Sequence, residues 1–86
     1  MSLEDKYKKK NIDIQLRVRR EMEYVQKGQS NKNYAQLSNI LEELEKMLNS
    51  KNLKLCYPRM IVDSWDFTDE LGLELLDLAE LYKRWK

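Results

Sequence analysis

The sequence predicts an all-α fold: a small antiparallel helical bundle of three long helices and one short helix, in a single domain spanning residues 1–86. Three observations carry this expectation. Glycine and proline are scarce, two and one in 86 residues, whereas all-β folds need many tight turns built from such residues. The chain is 42% hydrophobic although 36% of it is charged, enough apolar material for a core. Most of those apolar residues recur with helical spacing.

The first element, residues 3–27, carries two periodicities. Residues 12–19 read I-D-I-Q-L-R-V-R, the strict alternation of a half-buried strand. At about 100° per residue, however, Leu3, Tyr7, Ile14, Val18, Met22 and Val25 form one stripe. Ser2 or Asn11 offers an N-cap, and Gly28 stands where a helix C-terminal glycine belongs. A strand would need a partner, and Leu53–Tyr57 is the alternating stretch available. Such a two-stranded pairing is marginal, and the strand would turn into helix near Arg20 without a turn residue. Helix is the expectation and strand the alternative, with residues 1–11 open to fraying. On a helix, Ile12 and Leu16 face away from the stripe and need cover, either from residues 53–57 or from a second chain.

The second element, about 32–49, has Tyr34, Leu37, Leu41, Leu44 and Leu48 on one stripe, widened by Ile40 and Met47. Ser30, Asn31 and Asn33 are candidate caps; Asn49, Ser50 and Asn52 end it. In the third, Tyr57 should be extended before Pro58. Pro58 suits the first helical position, so 58–65 reads as a short helix burying Met60, Ile61 and Trp65. The fourth, 69–85, wraps apolar residues around most of its circumference: Leu71, Leu75, Leu78, Tyr82 and Trp85 on one face, Leu76 and Ala79 on a second, Leu73 and Leu81 beyond. A helix of this kind touches two neighbours. Thr68 or Asp66 offers its cap, Asp69 and Glu70 suit its first turn, and Lys83, Arg84 and Lys86 its last.

Composition narrows the chemistry. There is no histidine, hence no commonest general base or metal ligand. Cys56 is the single cysteine; it is expected as a small buried apolar residue in a reducing compartment. No apolar run approaches the roughly 18 residues that span a bilayer, and the N-terminal residues lack the apolar core of a signal peptide. No phosphate loop, nucleophile–base pair or calcium-loop spacing appears. A non-enzymatic, cytoplasmic protein without cofactor or metal is expected.

Net charge is only +1, but it is unevenly spread: residues 60–82 hold no basic residue and seven acids. Asp63, Asp66, Asp69, Glu70, Glu74, Asp77 and Glu80 form the candidate partner-binding set, with Trp65 as its aromatic anchor. Phe67, Tyr82 and Trp85 lie in or beside the same stretch and are read mainly as core. Acids held on rigid helices steer and anchor a cationic protein; the alternative is a solvated face with capping aspartates. The basic residues of the first element, Lys6, Lys8, Lys9, Lys10, Arg17, Arg19 and Arg20, are interrupted by Glu4, Asp5, Asp13, Glu21 and Glu23. That interruption argues against a nucleic-acid reader.

The stretch P-R-M-I-V-D-S-W-D-F-T-D-E-L-G-L-E-L-L-D-L-A-E-L resembles small helical bacterial toxin-immunity proteins of the MafI type. The resemblance covers about a quarter of the chain, and its matching positions are Asp69, Glu70, Gly72, Leu73, Leu75, Leu76 and Leu78. Colicin-D-type and class IIa bacteriocin immunity proteins are similar in size and helical class. The resemblance implies neutralisation of a cognate basic toxin by acidic residues that cover its active site. The alternative function is a small helical adaptor or regulator, homodimeric through apolar helix faces.

Overall fold

The computed structural model describes residues 2–50, 53–66 and 68–85. Asn52, Phe67 and Lys86, to which the sequence assigns roles, lie outside the described residues. The elements are α1 (Leu3–Gln26), α2 (Tyr34–Asn49), α3 (Tyr57–Ser64) and α4 (Glu70–Trp85). No strand occurs among the described residues, so the alternation at 12–19 belongs to a helix. Among the described residues no helix is long and apolar enough to cross a membrane.

Helix ends follow local chemistry. Ser2 accepts from the Asp5 amide at 3.1 Å and caps α1. At the other end Gly28 adopts φ 75°, where glycine has no Cβ penalty. Its N–H reaches the Val25 carbonyl at 3.1 Å, and the Gln29 N–H reaches Tyr24 at 2.8 Å. This pair of bonds is a Schellman closure. Asn33, of the three candidates, caps α2 through the Gln36 amide at 3.1 Å. Three expectations are corrected. The cap of α4 is Asp69, accepting from Gly72 N at 3.0 Å, because Asp66 instead folds onto Thr68 N and Oγ1 at 2.9 and 2.8 Å. The third helix starts at Tyr57, one residue before Pro58. Cys56 is exposed, since it stands at the N-cap of α3 with its backbone, not its thiol, turned to the fold.

Packing pairs show the directions. Tyr7 stacks on Trp85 with ring centroids 4.8 Å apart and lies 5.5 Å from Tyr82, while Arg17, further along α1, reaches back to Glu74 at 3.3 Å. Helix α4 is therefore antiparallel to α1. Asn11 donates to the Leu44 carbonyl at 3.1 Å, joining early α1 to late α2. Helices α2 and α4 thus start at the same end of the molecule. On α2, Glu45 faces α1 through Arg19 at 3.1 Å, while Glu43 faces α3 by accepting from the Tyr57 amide at 3.1 Å. On α4, Glu74 faces α1 and Gly72 faces α3. Helices α1 and α3 therefore flank α2 and α4 from opposite sides, and the fourth helix has the two neighbours its wrapped apolar pattern requires. The core is continuous, with Ile14, Val18, Leu37, Leu44, Leu75 and Leu78 essentially inaccessible.

Gly72 is a packing requirement. A Cβ there would lie 3.1 Å from Trp65 Cε3 and 3.3 Å from Ile61 Cγ2, so its absence lets α3 close onto α4. No buried side-chain polar atom among the described residues lacks a hydrogen-bond partner.

Candidate functional site

The eight residues singled out in the acidic segment do not form one face. Helix α4 turns part of the segment inward, toward cations from elsewhere in the chain. Glu74 lies 3.3 Å from Arg17 and 3.8 Å from Lys10, and Asp77 lies 3.1 Å from Lys10. Asp69 meets Lys32 at 2.6 Å. Burial alone would raise the Asp69 carboxyl. The Lys32 hydrogen bond, the Gly72 and Leu71 amides and the Lys32 charge outweigh that and hold it below the usual carboxylate range. Glu80 has a local partner in Lys83 at 3.7 Å, and Asp63 a loose one in Arg59 at 3.9 Å.

Asp66 and Glu70 have no cation within 4 Å among the described residues. The carboxyl of Asp66 is nevertheless lowered, because the Thr68 amide and hydroxyl donate to its charged form. With Asp63, these two mark a corner between α3 and α4. Glu70 is one turn before Leu73 on the outer side of α4, where residues three apart are neighbours.

Trp65 is the half-buried wall between two concavities at that corner. Its indole N–H donates to Gln36 at 3.4 Å, and Lys32 Nζ sits 5.2 Å from its ring centroid, within cation–π reach. On one side is a polar cleft of about 430 Å³, lined by Asn31, Lys32, Gln36, Ser64, Asp66 and Asp69 among others. On the other is a small apolar groove of about 90 Å³ containing Ile61, Val62, Gly72, Leu73 and Leu76. Val62 is 67% exposed and Leu73 51% exposed.

The sequence reading did not single out Val62 and Leu73 as surface residues. Their signal lies in the wheel. Ile61 and Trp65 share the inward side of α3, which leaves Val62 outside, and Leu73 falls beyond both apolar faces of α4. The counter-ion Lys32 had no signal, since it comes from the α1–α2 connection and meets α4 only through the fold.

On α1, Ile12 is 51% and Leu16 60% exposed. Residues 53–57, the intramolecular cover considered for them, lie elsewhere. Leu53 N donates to the Tyr82 hydroxyl at 3.0 Å, and Cys56 N and Tyr57 N donate to Glu43 at 2.5 and 3.1 Å. That segment closes the side of the bundle away from the outer face of α1. Among the described residues no three His, Cys, Asp or Glu side chains gather as a metal-binding group.

No family model, curated protein or solved structure matches this chain. The likeness of residues 69–78 to immunity proteins therefore rests on those residues alone, and the packing of Trp65 and Ile61 accounts for the glycine among them.

Proposed function

We propose that this chain is a non-catalytic binding protein whose α3–α4 corner seats a cationic protein. One observation carries the reading. Asp66, an acid outside any internal ion pair, lines a groove bearing exposed Val62 and Leu73, while loosely held Asp63 follows Val62 on α3 and unpaired Glu70 precedes Leu73 by one turn on α4. An apolar depression rimmed by carboxylates fits an apolar side chain flanked by lysine or arginine. The buried apolar contact supplies affinity, and the rim supplies steering and register. Glu74, Asp77 and Asp69 contribute less, because their charge is already matched within the molecule. In its sharper form the partner is a basic toxin and the chain acts as its immunity protein in the cytoplasm, in keeping with the immunity-type pattern at 69–78 and the free thiol of Cys56.

The test is affinity capture on the immobilised chain from a low-salt lysate of its source organism, followed by titration of the purified capture partner. Asp63→Asn, Asp66→Asn and Glu70→Gln together are expected to weaken binding at least about tenfold and flatten its salt dependence, as for close charge pairs across an interface. Val62→Lys should weaken it comparably, whereas Glu74→Gln with Asp77→Asn should change it little. A partner held equally by the corner variants and the parent chain rules the reading out.

A second reading, a helical adaptor that is homodimeric through an apolar helix face, is favoured by the exposure of Ile12 and Leu16 on α1.

A further inference from the structure

The outer face of α1 carries a charge pattern that is complementary to itself. Asp5, Lys9, Asp13, Leu16, Arg20, Glu23 and Lys27 are all exposed and fall within about 80° of one another at 100° per residue. None of the six charged residues has an opposite charge within 4 Å among the described residues. The other charges of the same helix, Lys6 excepted, do: Glu4 with Lys8, Lys10 with Asp77, Arg17 with Glu74, Arg19 with Glu45, Glu21 with Lys32. The unpaired stripe reads, along the helix, negative, positive, negative, Leu16, positive, negative, positive. Read backwards, every sign is inverted.

We propose that a second copy of this chain docks on this face, α1 antiparallel to α1, about a two-fold axis at Leu16. In that register Leu16 meets its own equivalent, Asp13 faces Arg20 of the second copy, Lys9 faces Glu23, and Asp5 faces Lys27, each pairing occurring twice by symmetry. A parallel arrangement would set every charge against its like. The contact is isologous and therefore closed. It runs from Asp5 to Lys27, about 33 Å at 1.5 Å per residue, with Ile12 along its edge. The apolar component is small, two side chains per copy, so charge pairing sets orientation and register while Leu16 and Ile12 supply the dry centre. Helices α2 and α4 lie on the other side of α1, and α3 lies beyond them. The dimer thus leaves both α3–α4 corners open, and the two surfaces stand or fall separately.

Sedimentation velocity on the full chain tests this. In low salt the expected result is a concentration-dependent monomer–dimer equilibrium that weakens as salt screens the pairs. Asp13→Arg should weaken dimerisation at least about tenfold, because two symmetric pairs become repulsive. Adding Arg20→Asp to it should restore the dimer, a rescue that a merely structural role would not give. Leu16→Lys should abolish it at any salt, with the helical circular dichroism unchanged because the side chain is exposed. In a Cys56→Ser background, Leu16→Cys should form a disulfide between copies under mild oxidation. A monomer at all concentrations in low salt, a dimer indifferent to Leu16→Lys, or failure of the double reversal to restore association would each overturn the proposal.

Discussion

Three tyrosines hold the core together through their hydroxyls as much as their rings. Tyr57 is buried between α2 and α4 and donates to the Leu75 carbonyl at 2.7 Å. Tyr7 accepts from Asn11 at 3.3 Å, and Tyr82 donates to the Ser50 carbonyl. Burial raises the Tyr7 phenol to about 12. Burial first, then the charge of Glu43, raises Tyr57 well above the ordinary tyrosine value. The linkage has a definite sign. A group whose folded pKa exceeds its unfolded one contributes stability that is whole below the unfolded value, about 10 for tyrosine. That contribution is lost as pH rises through the folded value. Urea midpoints should therefore fall as pH climbs from about 10 towards 12, over the range set by the unfolded phenol and Tyr7. Tyr57→Phe should lose some stability at neutral pH, on the order of 1 kcal/mol for one neutral hydrogen bond, while showing a shallower alkaline decline than the parent. An alkaline decline identical in parent and variant would show that Tyr57 carries none of it. Asn11 shows what a linear pattern hides at this scale. Read from sequence it is a candidate cap. In the fold it is wholly buried mid-helix, held by Leu44, Tyr7 and Gln15, and no spacing rule identifies a polar residue whose partner is 33 positions away.

All four helices were legible in the sequence, but stabilising contacts that come from another element were not. The amphipathic stripe of α2, the wrapped face of α4 and the closing turn at Gly28 are written in neighbouring residues. The alternation at 12–19 arises because Ile14 and Val18 belong to the buried stripe while Ile12 and Leu16 are exposed; helix and strand share that local pattern, and the stripe of the whole of α1 decides for helix. Helix α3 is expected from Pro58 and lies within one residue of its expected bounds, but what stabilises it was not legible. It is eight residues long, too short to persist alone, and its N-cap residue, Cys56, makes no side-chain capping bond. The missing acceptor comes from α2, where the Glu43 carboxylate takes the Cys56 and Tyr57 amides. A carboxylate at a helix N-terminus gains from both hydrogen bonding and the helix dipole. Glu43→Ala should cost about 1 to 2 kcal/mol, typical of a lost cap, although alanine favours α2 itself. The loss should be local: hydrogen exchange of α3 amides should accelerate well beyond that of the α2 amides. Uniform acceleration across both helices would place Glu43 in global stability rather than in the capping of α3. Because α3 carries Val62 and Asp63, the same variant should also blur the corner groove.

At the scale of the whole molecule, the uneven charge of the sequence has a physical use that composition alone could not assign. A near-neutral chain with a uniformly acidic stretch at 60–82 reads as a surface waiting for a basic partner. Folding divides that acidity in two. Glu74 and Asp77 turn to Lys10 and Arg17 across the α1–α4 seam, and Asp69 turns to Lys32, leaving chiefly Asp66 and Glu70 for the outside. The seam pairs are partly exposed, so each contributes little, a few tenths of a kcal/mol up to about 1. Together they tie the middle of α4 to the middle of α1. Reversing both cations, Lys10→Glu with Arg17→Glu, sets like charges along the seam without touching the core. The expected cost is about 1 to 3 kcal/mol in urea denaturation at low salt, shrinking as salt rises because the added repulsion is screened. Introducing Glu74→Lys and Asp77→Lys into that variant should recover most of the loss, since the pairs return with their signs exchanged. If the cost were independent of salt and unrecovered by the reciprocal change, Lys10 and Arg17 would be acting through the packing of their aliphatic stems. The seam pairs would then contribute no Coulombic stability. The two populations of acid also respond differently to a partner: charge reversal at the seam should alter stability more than binding, and neutralising Asp66 and Glu70 should do the reverse.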